Sequence, residues 1–400
     1  MHSGPRLTHS STQAPLPPIA MFTILAMVSP IALNILLPAM PDMANALDLP
    51  INAVQLSLTL YLLALAIGQL LLGPLADRFG RRPVLLAGIV IHMTGCLVAA
   101  NANDLTWLLL GRVLQALGGC TGMALARTIM LDRHNREVAA GKIAYITLSI
   151  GLSQAIAPTL GGYMNLLWGW QSLFYFSMIL GSLSWLIVVF KLPETGTQKE
   201  LHLNRVLLHY AEVIKSPGYL GYALSTALVA SGFYLFIGSA PYLVADKLHG
   251  SSADYGNWFL WVSIGFMAGS FIAAKISKNQ GTQRMILGGH LLSLTGGAIL
   301  CVSLYVEFSY MGLFLPMALY TFGRGFSQPN AQSAAISASL LGPGTASGMI
   351  GFIQLLTGAL VAQATPWLMA TNSLLIPLLI TLCPLIGLLI MKNLKNSHVL

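Results

Sequence analysis

The chain has 400 residues, of which 56% are hydrophobic and 8% are charged, and its formal net charge is +8. A soluble globular domain has about 25% charged residues, so this chain lacks the polar side chains that would cover a surface exposed to water. The composition therefore excludes a soluble protein and predicts an integral membrane protein. In such a protein the basic residues between apolar segments report membrane topology, and nucleic acid is not expected as a partner.

Twelve apolar segments reach the length of roughly 18 residues that a helix needs to cross a bilayer. They cover residues 18–41, 51–73, 83–101, 105–131, 139–164, 170–191, 217–244, 253–275, 284–304, 308–330, 345–369 and 373–391. The longest gap, 192–216, is polar and charged and separates six segments from six. We therefore predict an all-α membrane protein with twelve transmembrane helices in two pseudo-symmetric six-helix bundles. Its parts are an N-terminal tail (1–17), an N-terminal bundle (18–191), a linker (192–216), a C-terminal bundle (217–391) and a C-terminal tail (392–400).

An internal repeat supports this division. The stretch Lys278–Gly289 aligns with Asp77–Gly88, so that Gly281 matches Gly80. Two related halves of six membrane helices are typical of transporters that open alternately to the two sides of a membrane. We expect such a transporter, with a small-molecule substrate.

The basic residues predict the orientation of the chain. Of the 20 lysines and arginines, Arg112 and Arg324 are placed deep within predicted helices, away from their cytoplasmic ends, and Lys247 falls in a connection on the side opposite to the others. The remaining 17 lie on the side of the first connection and both termini. Because basic connections stay in the cytoplasm, both termini and the linker are predicted to be cytoplasmic, with the protein in the cytoplasmic (inner) membrane.

The residue patterns of metal-binding, ATP-driven and enzymatic proteins are not found in this sequence. The four cysteines are far apart in apolar segments without C-x-x-C spacing, which favours packing over a disulfide or a metal site. No G-x-x-x-x-G-K-[ST] loop occurs, so ATP is not expected as the direct energy source, and no cofactor is expected. A membrane-embedded enzyme or sensor is the alternative class, but no cluster of His, acid and Cys at one depth supports an enzyme.

The stretch Gly73–Pro83, GPLADRFGRRP, joins the second and third apolar segments. Its glycines and Pro74 are expected to turn the backbone, and its charges are expected to keep the turn out of the membrane. The pattern G-x-L-A-D-R-x-G-R-R resembles the signature loop of the major facilitator superfamily. The resemblance implies a latch that holds the cytoplasmic side closed in the outward-facing state. Its residues would be Gly73, Asp77, Arg78, Gly80, Arg81 and Arg82.

The fourth segment contains Arg112 and Gln115 in LLLGRVLQALGG, three residues apart and on one helical face. A charge inside an apolar segment needs a partner or a wet cavity. The pair resembles the R-x-x-Q-x-x-G pattern of the same superfamily, which implies a role in proton coupling. Hydrogen bonding to backbone carbonyls of a broken helix is the structural alternative.

The fifth segment resembles the antiporter signature of drug exporters, g-x-x-x-G-P-x-x-G-G, and this resemblance implies export. The matching residues are Ser153, Ala157, Pro158, Gly161 and Gly162, with serine and alanine standing where the signature has glycine. Small residues and a proline also suit close helix packing, which would select much the same residues.

Further segments resemble the bicyclomycin/chloramphenicol (Bcr/CflA) branch of drug:proton antiporters. They are LNILLPAMP (33–41), ARTIMLDR (126–133), FGRGFSQPNAQ (322–332) and GTASGMIGFIQ (344–354). This resemblance implies a protein, expected to be a monomer, that exports small, partly apolar compounds against an inward flow of protons. Export or import of an endogenous metabolite or siderophore is the alternative within transporters.

The sequence departs from that branch at Asn34, where the branch usually has an aspartate. Asparagine keeps the hydrogen bonds but cannot carry a proton. The candidates for proton coupling are Arg112, Gln115, Asp42, His92 and His290. The candidates for a central substrate cavity are Met27, Asn34, Gln115, Gln154, Phe233, Tyr234 and Arg324. For Arg324, pairing with an anionic substrate and a structural bond between helices both remain open.

Overall fold

The computed structural model describes residues 17–134, 136–196, 203–339 and 341–396. Most of the predicted N-terminal tail, the end of the C-terminal tail and part of the linker lie outside these ranges. The helices in chain order are α1 (Ile19–Asn34), α2 (Met40–Ala46), α3 (Ile51–Phe79), α4 (Arg81–Ala100), α5 (Leu105–Arg133), α6 (Arg136–Trp168), α7 (Gln171–Lys191), α8 (Leu203–Ile214), α9 (Pro217–Lys247), α10 (Ser252–Gln280), α11 (Thr282–Val306), α12 (Tyr310–Ala338), α13 (Pro343–Thr371) and α14 (Leu375–Asn396).

These helices account for the twelve predicted crossings. Eleven helical segments in the described ranges are long and apolar enough to span a membrane, the first of them formed by α1, a 3₁₀ turn at Leu37–Ala39, and α2. The twelfth is α12, which has 29 residues but contains Pro316, Pro329 and Arg324 and is less apolar. Helix α8 is additional and short, and lies in the predicted linker.

The helices form two groups, the N-half (α1–α7) and the C-half (α9–α14). Within each half the helices pack on one another, and between the halves the main contacts are α3 with α13 and α6 with α10. The α3–α4 turn marks one end of the molecule, here called the Gly80 end. Helix α2 lies at the other end, here called the Asp42 end.

The buried apolar residues are distributed differently at the two ends. At the Asp42 end one core contains residues of both halves, such as Leu58 and Trp170 together with Phe236 and Phe314. At the Gly80 end the N-half has its own core, and a separate core belongs to the C-half and α8. The halves are therefore packed together at the Asp42 end and have separate interiors at the Gly80 end.

The turn between α3 and α4 is tighter than the sequence predicts. Helix α3 continues through Gly73 and Pro74 to Phe79, and the change of direction occurs at Gly80, whose φ is 95°. The expectation that Pro74 helps to turn the chain was wrong, because a proline can remain within a helix when the carbonyl it deprives of a donor finds another one. Gly281 occupies the matching position between α10 and α11 with φ 78°, as the repeat predicts.

Close helix packing repeats in both halves. A methyl group at Gly118 of α5 would lie 2.3 Å from the carbonyl oxygen of Gly88 of α4, so the two backbones touch. In the C-half a methyl group at Gly323 of α12 would lie 2.4 Å from the carbonyl oxygen of Gly289 of α11. Small residues permit this approach, on which van der Waals packing in a membrane depends. Each half therefore has a tightly packed helix pair that resists internal movement.

Helix α8 supplies the donor that Pro74 removes from α3. Pro74 has no N–H, which leaves the carbonyl of Leu70, four residues earlier, without its helical partner. The Tyr210 hydroxyl donates a hydrogen bond to this carbonyl at 3.1 Å. A segment predicted as a plain linker thus contains a helix bonded to the N-half.

We predict that Tyr210→Phe lowers the free energy of unfolding by about 1–2 kcal/mol, because a partly buried carbonyl loses its donor. Unfolding of the purified protein in mixed micelles measures the change. The control is Tyr210→Phe in a Pro74→Ala background, where residue 74 regains its N–H and the tyrosine should matter by less than about 0.5 kcal/mol. An equal loss in both backgrounds would contradict this account.

Candidate functional site

A small pocket of about 10 Å³, which is room for about one water molecule, lies between the halves at mid-depth. Its walls come from α6, α9, α10 and α12, and all the contributing residues except Phe259 lie near the middle of their helices. They are Gly151, Gln154, Phe233, Phe259, Val262, Ser263, Phe266, Thr321 and Arg324. Transporters built from repeated halves bind substrate at the same depth, at the interface of the repeats.

Arg324 is the charged residue of the pocket. Its Nε donates to the Gln328 side chain at 3.0 Å, which fixes the orientation of the guanidinium group. The guanidinium carbon lies 4.6 Å from the ring centroid of Phe233 and 5.3 Å from that of Phe266. These rings compensate part of the cost of keeping a cation in the membrane through cation–π attraction.

Three predicted cavity residues meet at this pocket, namely Gln154, Phe233 and Arg324. Tyr234 is buried next to it, with its ring edge-on to Phe233 at 5.8 Å. Met27 is half-buried in α1 and is not among the pocket residues.

Arg112 lies elsewhere, inside the N-half, with 1% of its surface exposed. It donates from Nε to the Ser57 carbonyl at 3.3 Å, and from a terminal nitrogen to the Ala32 carbonyl at 3.1 Å and to the Gln115 side chain. Its guanidinium carbon lies 4.0 Å from the centroid of the Tyr61 ring. The arginine thus ties the last turn of α1 to α3 and α5, which is the geometry of the structural alternative. A role in proton coupling stays a prediction.

Asn34 and Gln115 are buried in the same region rather than in the pocket. The Asn34 amide donates to the Pro30 carbonyl one turn earlier in α1, at 2.7 Å. The Gln115 amide donates to the Cys96 sulfur at 3.1 Å while its oxygen accepts from Arg112. Both side chains are occupied by contacts within the N-half.

The two predicted histidines occupy similar places in the two halves. His92 of α4 is fully buried and bonded through Nδ1 to the Gln115 carbonyl of α5 at 2.9 Å. His290 of α11 is fully buried and bonded to the carbonyls of Ile286 and Ser225. Each histidine therefore packs helices within one half and lies away from the pocket residues.

Asp42 takes part in a polar connection that joins the halves at the Asp42 end. Asn165 of α6 donates through its amide to the Asp42 carboxylate, and also to the Ser252 hydroxyl of α10 at 3.1 Å. The Ser252 hydroxyl in turn donates to the Gly162 carbonyl at 3.0 Å. Asp42 is exposed, whereas Asn165 and Ser252 are buried.

The predicted antiporter motif forms the surface of α6 that packs here. A methyl group at Gly161 would lie 2.0 Å from the Ile35 carbonyl oxygen, and one at Gly162 would lie 2.3 Å from the Ser252 carbonyl oxygen. Ser153 and Ala157 are buried on the same helix. These small residues let the broken first span and α10 approach α6, so the packing interpretation of the motif has a geometric basis.

Prolines create the acceptors at both interfaces between the halves. Pro158 in α6 frees the Gln154 carbonyl, which accepts from the Ser263 hydroxyl of α10 at 3.2 Å. Pro366 in α13 frees the Ala362 carbonyl, which accepts from the Gln55 amide of α3 at 2.9 Å and from the Thr365 hydroxyl of α13 itself at 2.7 Å.

The two sets lie at the α6–α10 and α3–α13 interfaces. Pro366 follows Pro158 by 208 residues, but the repeat that aligns Gly281 with Gly80 pairs residues of α3 and α10 that are 201 apart, so Ser263 lies about two helical turns from the residue that matches Gln55. In both sets a carbonyl freed by proline in one half is met by a donor from the other half, once at each interface. Such carbonyls need a partner because the bilayer offers no water to bond them.

The predicted latch residues bond within the N-half in this structure. Asp77, 46% exposed, pairs with Arg81 at 2.6 Å, and Arg81 also contacts Asp132 at the end of α5 at 3.0 Å. The Glu194 carboxylate accepts from the backbone N–H groups of Arg81 and Arg82 at the start of α4. An acid at a helix N-terminus is favourable because it meets unpaired N–H groups. Gly73 lies within α3, and the Arg78 guanidinium lies 5.0 Å from the centroid of the Phe79 ring.

Several of these side chains were missed by sequence reasoning. They are Asn165, Ser252, Gln55, Ser263, Asp132 and Glu194. Pro158 and Pro366 are visible in the sequence, and within a helix each of them frees the carbonyl four residues earlier. This does not identify the donors, because Gln55 and Ser263 are different residues at positions that do not match in the repeat.

Comparison with known proteins was made by sequence and by structure. Residues 22–396 match the family model described as Major Facilitator Superfamily. Multidrug resistance protein D of Escherichia coli K12 is 28% identical over 369 residues, which cover 92% of this chain and 93% of that protein. The bicyclomycin resistance protein homolog of Haemophilus influenzae is 25% identical over 344 residues, covering 85% and 86%. A crystal structure of a D-xylose–proton symporter superposes with a TM-score of 0.75 over 93% of this chain and 96% of that chain, at 14% identity. The predicted family and fold are confirmed.

We predict that Ser263→Ala shifts the protein toward opening at the Asp42 end, because the Gln154 carbonyl loses its donor when that end is closed. The loss is about 1–2 kcal/mol, or a factor of roughly 5–30 in the equilibrium between states. Pulsed electron paramagnetic resonance between spin labels at positions 45 and 370 measures the two populations in a variant whose native cysteines are alanine.

The matched control is Ser263→Ala in a Pro158→Ala background. Residue 158 then donates its own N–H to the Gln154 carbonyl, so removing the serine should leave the populations unchanged. A shift of the same size in both backgrounds would show that the serine acts in another way.

Proposed function

This chain belongs to the Major Facilitator Superfamily and is a secondary transporter, and we propose that it exports small amphipathic compounds in exchange for protons. The observation that carries this proposal is the mid-depth pocket between the halves, lined by aromatic rings and polar side chains. The names of the relatives, a multidrug resistance protein and a bicyclomycin resistance protein homolog, support drug-like substrates. The superfamily consists of transporters rather than enzymes.

The moving bodies would be residues 18–191 and 217–391. Their contacts support a rocking motion, because the shared core at the Asp42 end is the part that has to separate. The two independent cores at the Gly80 end can approach each other without being rebuilt. Substrate would then enter from the Gly80 end and leave at the Asp42 end.

We assign the Gly80 end to the cytoplasm of a cell whose inner membrane contains the protein. The excess of lysine and arginine on this side supports the assignment, since basic connections are retained in the cytoplasm. The structure then corresponds to a state closed toward the outside. Both termini would be cytoplasmic.

Among the titratable candidates for proton coupling, Asp42 has the contacts that fit the task best. It accepts a hydrogen bond from Asn165, which also bonds Ser252 of the opposite half. Protonation would weaken the carboxylate as an acceptor and would loosen the closed exit. His92 and His290 are each bonded within a single half. Protonation of either histidine would therefore change packing inside that half and would not directly change the contacts between the halves.

Transport into inverted membrane vesicles tests the exchange. With an acidic vesicle interior, we expect a substrate such as chloramphenicol to accumulate, and a protonophore to abolish the accumulation. Vesicles without the transporter are the control. Accumulation that is insensitive to the pH gradient would overturn proton exchange, and substrate movement out of such vesicles would overturn export.

The charged turn provides a test of the latch. We predict that Asp77→Asn lowers export by about tenfold or more, because the outward-facing state loses an ionic contact worth on the order of 1–3 kcal/mol. Asp77→Glu should retain most of the activity, and immunoblotting of membranes would show equal amounts of protein.

Asp132→Asn is the matched control for this variant, because it removes the other carboxylate that contacts Arg81 within the N-half. If the local ion pairs alone matter, the two asparagine variants should be equally impaired. A latch between the halves requires Asp77→Asn to be the more severe, and normal export by Asp77→Asn would refute the latch.

A further inference from the structure

Acidic side chains are absent from the central part of every membrane helix. In the described ranges each Asp and Glu lies in a connection or within the first or last three residues of a helix. These residues are Asp42, Asp48, Asp77, Asp104, Asp132, Glu137, Glu194, Glu212, Asp246, Asp254 and Glu307. The pocket at mid-depth therefore contains a cation, Arg324, without a carboxylate beside it.

Arg324 differs in its contacts from Arg112, the other arginine predicted to lie deep in the membrane. Arg112 uses Nε and a terminal nitrogen to bond two carbonyls and an amide, and it is sealed in the N-half. For Arg324 the hydrogen bond that the described residues provide is the one from Nε to Gln328. Arg324 lines the pocket, and its two terminal nitrogens form no hydrogen bond with the described residues, so Nε fixes the orientation of the guanidinium group while donors remain for a ligand.

The surroundings of Arg324 favour a flat, apolar body beside the charge. Phe233 and Phe266 contact the guanidinium group, and Phe259 forms a further part of the wall. A carboxylate matches two parallel N–H donors of an arginine, and an aromatic ring matches the phenylalanine walls. Gln154 supplies a neutral polar group from the opposite half.

We propose that this pocket, once separation of the halves enlarges it from its present volume of about 10 Å³, binds aromatic carboxylates, with Arg324 bonding the carboxylate and the rings of Phe233 and Phe266 contacting the aromatic body. The proposal rests on the proposed function in one respect, namely that the pocket is the substrate site. A purely structural Arg324, which only ties α9, α10 and α12 together, would give no preference for a ligand charge.

Equilibrium binding to the purified protein in lipid nanodiscs tests this preference with three probes of one shape. They are 1-naphthoate, 1-naphthamide and 1-naphthylmethylammonium, titrated by isothermal calorimetry. The wild-type protein should bind the carboxylate at least about tenfold more tightly than the amide, because a charge-assisted bond replaces a neutral one. The ammonium compound should bind most weakly.

Three variants separate the roles of charge and packing. Arg324→Gln should bring the ratio of carboxylate to amide affinity to about one while changing amide affinity by less than about threefold. Arg324→Lys should retain part of the preference, since an ammonium group offers charge without the paired donors. Phe233→Leu should weaken all three probes by a similar factor and leave the ratio unchanged.

The proposal is overturned if the wild-type protein binds none of the probes, binds the amide or the ammonium compound as tightly as the carboxylate, or keeps its preference in Arg324→Gln. The comparison of the three probes on the wild-type protein needs no variant, so it remains valid even if a variant fails to fold. No proton gradient is present in this experiment. If proton exchange fails in vesicles, the binding result is not affected. If the charge preference is lost, export of neutral compounds is still possible.

Discussion

Backbone carbonyls that have lost their helical donor determine how the halves of this transporter touch. A proline within a helix frees the carbonyl four residues earlier, and in hydrocarbon that carbonyl must find a new partner. Here another element supplies a partner: Tyr210 for Leu70, Ser263 for Gln154 and Gln55 for Ala362, whose carbonyl also accepts from Thr365 of its own helix. The latter two bonds between elements join the halves, one at each interface.

This arrangement makes separation of the halves inexpensive. If the halves separate at the Asp42 end, the carbonyls of Gln154 and Ala362 would lose a donor from the opposite half; Ala362 would keep the Thr365 hydroxyl, and Gln154 would need water as a replacement. Exchange of one hydrogen bond for another changes the free energy by only about 0.5–1.5 kcal/mol per bond. The contacts within each half are close packing of helix backbones, which water cannot replace. They occur between Gly88 and Gly118 in the N-half and between Gly289 and Gly323 in the C-half. The molecule thus combines rigid halves with an interface that can exchange its partners.

The fold could be predicted from the sequence because its causes are local. Apolar length predicts the spans, and the structure has helices at these places. The orientation that the basic connections predict stays a prediction. The turn was expected to begin near Pro74, but α3 continues to Phe79 and the chain turns at Gly80. Pro74 is compatible with the helix because Tyr210 of α8 supplies a donor to the Leu70 carbonyl, and no residue near Pro74 in the sequence indicates that donor. Asn34 and Gln115 were predicted to face the cavity, yet they bond Pro30 and Cys96 within the N-half. Helical spacing predicts a shared face, but which neighbouring helix covers that face depends on residues far away in the chain.

The replacement of an acid by Asn34 can be connected with the charge of the pocket. At an effective dielectric constant of about 20, a charge about 8 Å from an unpaired guanidinium group interacts with it by about 2 kcal/mol, which favours an anion and disfavours a cation. A membrane potential of about 100 mV, negative inside, contributes about 2.3 kcal/mol per charge, and it acts in the direction that drives an anion out of the cell. A cation exporter works against the same potential and needs proton exchange to compensate, whereas an anion exporter does not. A pocket that contains Arg324, in a protein that has Asn34 in its first span where the resembled branch usually has an acid, is therefore consistent with an anionic cargo, whose export depends less on a deep titratable carboxylate.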